Sequence, residues 1–124
     1  MSTVLLATAA DHVHDDIEAA LGGDHHVVRV RGGSEVLDAV HDNEPDLVVL
    51  DLQIGNMGGL AACMDLRLEQ RAGRIPLQRV VVLLDRDADV FLARQAEADA
   101  WMVKPLDPLA LRRTAAETLA AATA

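Results

Sequence analysis

The sequence predicts an α/β fold, a parallel sheet of five strands with helices packed on both faces. Three observations carry that expectation. Short apolar runs alternate with longer segments of helical periodicity, five of each over 124 residues. Two of the runs, DLVVLD (46–51) and RVVVLL (79–84), are almost continuously apolar, as strands covered on both faces would be. Strict strand–helix alternation needs crossover connections, and these make the strands parallel.

The elements follow in order. TVLLATA (3–9) is rich in β-branched and aliphatic residues and reads as a buried strand. Asp11 is placed to cap a helix whose apolar face is Val13, Ile17, Ala20 and Leu21, ended by Gly22-Gly23. HVVRVR (26–31) alternates, as a half-buried or edge strand does. Ser34 is read as the cap of a helix carrying Val36, Leu37 and Val40, which must stop before Pro45. The third strand ends at Asp51. A glycine-rich loop follows, then a helix from about Gly59 with Leu60, Cys63, Met64, Leu66 and Leu68 on it. After the fourth strand, DADVFLARQAEA (87–98) is a short helix, AWMV (100–103) the last strand, and Lys104-Pro105 a turn. A final helix starts near Asp107 and carries Leu109, Leu111 and Leu119. Linkers, repeats and low-complexity tracts are not evident, so residues 1–124 are expected to form one domain, with no output domain in the chain as given.

Composition narrows the function classes. A net charge of −9 repels phosphate backbones and anionic membranes, so no nucleic-acid or membrane partner is expected. One cysteine, Cys63, permits no internal disulfide and suits a reducing compartment. The first residues lack a basic n-region, and no apolar run reaches membrane-spanning length. The expected location is cytoplasmic.

In a parallel α/β sheet, sites lie outside the carboxyl ends of the strands. That rim should gather Thr8 and Ala9, Asp51, Leu84 and Asp85, and Lys104. Asp51 and Lys104 would therefore meet, although 53 positions separate them. Two accounts stand open at this point: a nucleophilic carboxylate that accepts a phosphoryl group, or a structural ion pair that closes the sheet.

Taken together, PDLVVLDLQIGNMGGL, the VVVLL strand and AWMVKPL resemble the receiver domain of bacterial two-component response regulators, the CheY-like family. The resemblance spans the whole chain. It implies a flavodoxin-like, doubly wound sheet in strand order 2-1-3-4-5 with five helices. It also implies signal transduction by phosphorelay rather than an enzyme's function, with Asp51 as the phosphoacceptor and Lys104 as its phosphoryl-contacting lysine. Pro105 matches the proline that usually follows a cis peptide, Trp101 the aromatic switch position, and Gly58 or Gly59 the loop glycine. Implied partners are a sensor histidine kinase or phosphotransfer protein, and a protein docked on the face of the fourth helix, fifth strand and fifth helix; a homodimer is a further option.

The same comparison exposes departures. Thr8 and Ala9 stand where the family carries the acidic pair that binds Mg2+, Leu84 where it carries a hydroxyl, and Gly55 where it carries a proline. Mg2+ wants several hard oxygen ligands. Only Asp51 and the Gln53 carbonyl remain as weak candidates, so Mg2+ is expected to bind poorly and no firm cofactor is assigned. Asp51 and Lys104 would then neutralise each other, and Asp51→Ala is expected to cost about 3–5 kcal/mol by leaving a charge unpaired. Leu84 offers no polar atom to a phosphoryl group and should help hold Trp101 in one rotamer, biasing the switch to one state. Hence the reading is an atypical single-domain response regulator. Its alternative is a pseudo-receiver, a phosphorylation-independent interaction module.

Other signals are bland. GNMGG (55–59) matches neither a P-loop nor a dinucleotide fingerprint. The five histidines read as surface, Cys63 as a core thiol, and Trp101 as packed against the last helices. DRDAD (85–89) reads as a solvated helix start, and EQRAGRIPLQR (69–79) as locally balanced charge rather than a docking edge.

Overall fold

The computed structural model describes residues 1–54 and 58–121. Its strands are β1 (Ser2–Ala7), β2 (His25–Val30), β3 (Leu47–Asp51), β4 (Val80–Leu84) and β5 (Ala100–Val103). Its helices are α1 (Asp11–Leu21), α2 (Val36–Asn43), α3 (Gly59–Arg71), α4 (Val90–Gln95) and α5 (Pro108–Ala121). The strands form one parallel sheet in the order β2-β1-β3-β4-β5. This is the flavodoxin-like arrangement expected.

Burial follows the apolar pattern. Every residue of β3 and β4 is buried, whereas edge strand β2 is half-buried along most of its length. Alternate side chains feed two core layers. One layer packs Leu5, Val48, Leu50, Val80, Val82 and Leu84 under α2, α3 and α4. The other packs Val4, Leu6, Leu47, Val49, Val81 and Leu83 under α1 and α5.

Several boundaries differ from the sequence reading, each for a local reason. Asp11 is the first residue of α1 rather than its cap, and Ala10 at the cap position makes no side-chain bond. The Asp11 carboxylate turns instead to Arg29 (2.8 Å) and Arg31 (3.2 Å) of the β2 region. Ser34 lies inside a 3-10 turn, Gly33–Glu35, that precedes α2. The fourth helix is shorter than 87–98. It begins as a 3-10 turn, Asp87–Asp89, and ends with Glu97 in the left-handed region (φ 64°), where Ala98 N–H reaches back to the Ala93 carbonyl. By contrast, Asp107 does cap α5: its carboxylate accepts from Ala110 N–H at 3.1 Å, with Pro108 at the first helical position. Gly55 and most of GNMGG lie outside the described residues.

The thiol of Cys63 sits in the core, as read, and donates to the Ala96 carbonyl at 3.2 Å. Burial pushes its pKa up to about 11 despite the nearby Arg67, which disfavours thiolate chemistry.

Candidate functional site

Order reversal in the sheet sets the site. The chain runs from β1 outward to β2 and then returns to β3 on the other side, so the ends of β1 and β3 flank the topological switch point. Thr8 follows β1 and Asp51 ends β3. Pairing of Asp51 with Leu83, and of Leu84 with Val103, brings the ends of β4 and β5 to the same level. Asp85 and Lys104 follow directly.

The side chains converge as expected and go further. Asp51 is 1% exposed. Its Oδ1 accepts from Lys104 Nζ at 2.6 Å and from the Gln53 backbone N–H at 3.2 Å. Its Oδ2 accepts from the Thr8 hydroxyl at 2.8 Å. Both carboxylate oxygens are therefore engaged by donors. Lys104 also donates to Asp85 Oδ1 at 3.0 Å, so one ammonium bridges two carboxylates. Asp85 is thus part of the pocket, which corrects its assignment to a solvated helix start. An ammonium left with one partner at the rim recruits the nearest acid on the adjoining strand end. Its neighbours in that stretch behave differently: Asp89 is buried and caps its own turn through Arg86 N–H at 3.2 Å.

Thr8 shows how a neutral residue fills a position where an acid would repel Asp51. Its hydroxyl donates to Asp51 while accepting from Ala10 N–H at 3.1 Å. Its carbonyl accepts twice from the Arg29 guanidinium, at 3.1 Å each. Arg29 was given no role in the sequence reading; its place on an alternating strand next to β1 was the available signal. Ala9 is exposed and contributes no polar side-chain atom.

The donor set does not fit Mg2+. A hard divalent ion needs free oxygen acceptors in octahedral geometry, but the Asp51 oxygens are held by an ammonium, a hydroxyl and an amide N–H. Thr8 supplies a donor, and Gln53 faces Asp51 with its N–H. Among the described residues, no group of three or more His, Cys, Asp or Glu is placed to hold a metal ion.

Charges in the pocket are tuned by competing effects. Burial would lower the Lys104 pKa, but hydrogen bonds to Asp51 and Asp85 outweigh it and leave the value above that of an ordinary lysine. Burial would raise the Asp85 pKa, but Lys104 and Gln53 outweigh it and leave the value below that of an ordinary aspartate. The Lys104 contribution to stability is complete below about pH 10.4 and is lost as pH rises through its raised native value. The Asp85 contribution is complete above about pH 3.9 and is lost as pH falls through its depressed native value. Thermal melts of Asp85→Asn and the parent should differ at neutral pH and converge in acid. A gap that stayed constant from about pH 7 to about pH 3 would count against the Asp85 ion pair.

Gly59 positions the backbone behind Asp51. A Cβ there would stand 2.2 Å from the Asp51 carbonyl oxygen and 2.8 Å from its carbon, both main-chain atoms. The start of α3 approaches the end of β3 so closely that only glycine fits. Gly59→Ala is expected to destabilise the fold by about 1–3 kcal/mol. Gly58 has no such constraint, its nearest neighbour being at 3.8 Å, so Gly58→Ala serves as the control in a urea melt.

The remaining sequence-marked residues sit close by. Leu84 is fully buried in the same core layer against which Trp101 and Val103 pack. Trp101 therefore lies on the α4 side of the sheet, away from α5, with the Arg94 guanidinium 5.3 Å from its ring centroid. The Lys104–Pro105 peptide is cis. His12 and Asp16 do share a helix face and line a groove of about 320 Å3 with Lys104, Pro105 and Leu106.

The arrangement agrees with comparisons to known proteins. A family model described as the response regulator receiver domain matches residues 4–116. The chain is 36% identical over 76 residues to the DNA-binding response regulator MtrA of Mycolicibacterium smegmatis, covering 61% of this chain and 32% of that protein. It is 28% identical over 107 residues to the transcriptional regulatory protein AfsQ1 of Streptomyces coelicolor, covering 86% and 46% respectively. The matched stretch thus spans less than half the length of these relatives. A crystal structure of a putative response regulator from Chloroflexus aurantiacus superposes with a TM-score of 0.85 at 24% identity, covering 96% of this chain and 98% of that one, a likeness of fold. With its 2-1-3-4-5 sheet, its rim aspartate and lysine, and a family match over nearly its whole length, the chain belongs to the response regulator receiver domains of two-component signalling.

Proposed function

We propose that this chain is an atypical receiver that delivers its signal by contact with a protein partner, with Asp51 as the candidate phosphoacceptor. The observation that carries it is the Asp51–Lys104 contact of 2.6 Å at the switch point. A sensor histidine kinase or a phosphotransfer protein would supply the phosphoryl group. The partner would dock on α4, β5 and α5. Supporting that face are apolar side chains left in water on an acidic protein: Phe91 on α4 is 65% exposed and Leu109 on α5 is 70% exposed. A second copy of the chain is the other occupant considered for it.

One observation favours the alternative, a phosphorylation-independent interaction module. Both acceptor oxygens are already hydrogen-bonded, and the donor set does not suit Mg2+. The deciding experiment is incubation with acetyl phosphate and Mg2+, read by intact mass. A single phosphoryl addition that disappears in Asp51→Asn supports the acceptor reading, whereas no addition supports the interaction module. Trp101, the sole tryptophan, reports the ion in parallel. Saturable quenching by sub-millimolar Mg2+ would overturn the claim that the pocket is atypical.

A further inference from the structure

We propose that Asp85 is a positioning residue that keeps this pocket closed to phosphoryl-type anions by holding Lys104. The proposal rests on the reading of Asp51 and Lys104 as the phosphoryl-accepting pair, and it names what restrains that pair.

Geometry and charge carry the argument. The Lys104 ammonium spends one N–H on Asp51 at 2.6 Å and another on Asp85 at 3.0 Å. Asp85 directs its ion pair to Lys104, while the adjacent Arg86 turns to Asp89 at 3.1 Å. Two carboxylates on one ammonium sum to −1, so an incoming phosphoryl oxygen meets net negative charge and a cation already committed. Asp51 itself is 1% exposed beneath these contacts. Asp85 belongs to the loop after β4, directly beyond the buried Leu84, and is anchored by the strand end rather than by a mobile segment. Burial works against its charge, but hydrogen bonds to Lys104 and Gln53 outweigh it and hold its pKa below that of an ordinary aspartate.

Removing this internal anion leaves Asp51 and Lys104 as a neutral pair, and the ammonium regains a free direction. Transfer from acetyl phosphate then needs only one bond exchange. An Asp51 carboxylate oxygen forms a bond to phosphorus, the phosphorus–oxygen bond to acetate breaks, and acetate departs with the electron pair. No proton or redox partner is required.

The test compares the parent with Asp85→Ala and Asp85→Glu, each with and without Asp51→Asn, after circular dichroism has verified folding. Inorganic phosphate is titrated against the backbone amide signals of Lys104 and Gln53 by NMR, and acetyl phosphate labelling is read by intact mass. Asp85→Ala should bind phosphate at least about tenfold more tightly than the parent and label faster by a similar factor. Asp85→Glu should stay close to the parent. Phosphate binding in Asp85→Ala no tighter than in the parent, or Asp85→Glu as open as Asp85→Ala, overturns the proposal whatever happens at Asp51. Tighter phosphate binding without labelling, or labelling that survives Asp51→Asn, upholds the restraint by Asp85 while removing Asp51 as the acceptor.

Discussion

Replacing Lys104 with methionine is expected to destabilise the fold by about 3–5 kcal/mol at neutral pH. The variant keeps the aliphatic stem but strips the counter-charge from Asp51, which is 1% exposed and would retain only the Thr8 hydroxyl and the Gln53 N–H. It also brings Asp85 and Asp51 together without their shared cation. Asp51→Ala should cost less, about 1–3 kcal/mol. Its loss leaves Lys104 paired with Asp85, and the lysine side chain is 22% exposed to water. The sequence alone anticipated the full unpaired-charge penalty at Asp51, because nothing in it showed that the ammonium has a second partner. Urea titrations followed by Trp101 fluorescence measure both. The double variant Asp51→Asn/Lys104→Met should be more stable than Lys104→Met alone, since a neutral amide needs no counter-ion. A loss below about 1 kcal/mol in Lys104→Met would show that the pair is already hydrated and contributes little.

A loss of about 2–4 kcal/mol is expected for Arg67→Met. Arg67 lies on α3, is 5% exposed, and holds four partners. Nε donates to the Glu97 carbonyl at 3.0 Å, and Nη1 to the Gln78 carbonyl at 2.7 Å and to Gln70 Oε1 at 3.1 Å. Nη2 donates to Asp99 Oδ2 at 3.0 Å. Asp99 in turn accepts from Val80 N–H at 2.7 Å, the first residue of β4. One guanidinium thus satisfies the left-handed end of α4, the entry to β4 and the entry to β5. Methionine fills similar space but supplies no donor, so two main-chain carbonyls lose a buried partner and the half-exposed Asp99 loses its counter-charge. A domain of this size keeps only about 5–15 kcal/mol of net stability, so the variant should unfold at a much lower urea concentration. Hydrogen exchange at Val80 N–H should accelerate more than exchange in β1. An unchanged midpoint would mean that water replaces the guanidinium and that the network is peripheral.

Arg67 also shows where sequence reasoning stopped. The stretch 69–79 looked like a basic island, and charge balance was preferred over a docking edge. The structure agrees for Arg71, which pairs with Glu97, and for Arg74, which pairs with Glu69 at 2.6 Å. Arg67, two residues before that stretch, was unmarked because its helix position reads the same whether its side chain reaches water or threads inward beneath the α4–β5 turn. Similarly, Asp85 opened a run of three acids in five residues, and acids at a helix start are ordinarily solvated. Only the approach of β5 to β4 places Lys104 within 3.0 Å of it.

What the sequence determined by itself was the alternation of elements, and through it the rim. Apolar runs of strand length, crossover helices and the positions of Asp51 and Lys104 at strand ends are local properties, and parallel topology carries those ends to one edge. What only the tertiary structure decided was the polarity of each contact there. Thr8 donates to Asp51 instead of ligating a cation, Arg29 holds the Thr8 carbonyl, and Asp85 shares the ammonium. The physical reason is that a hydrogen bond depends on distance and direction between groups far apart in the chain. The order of residues specifies which groups reach the rim, but the packing of neighbouring strands selects which of them satisfy one another.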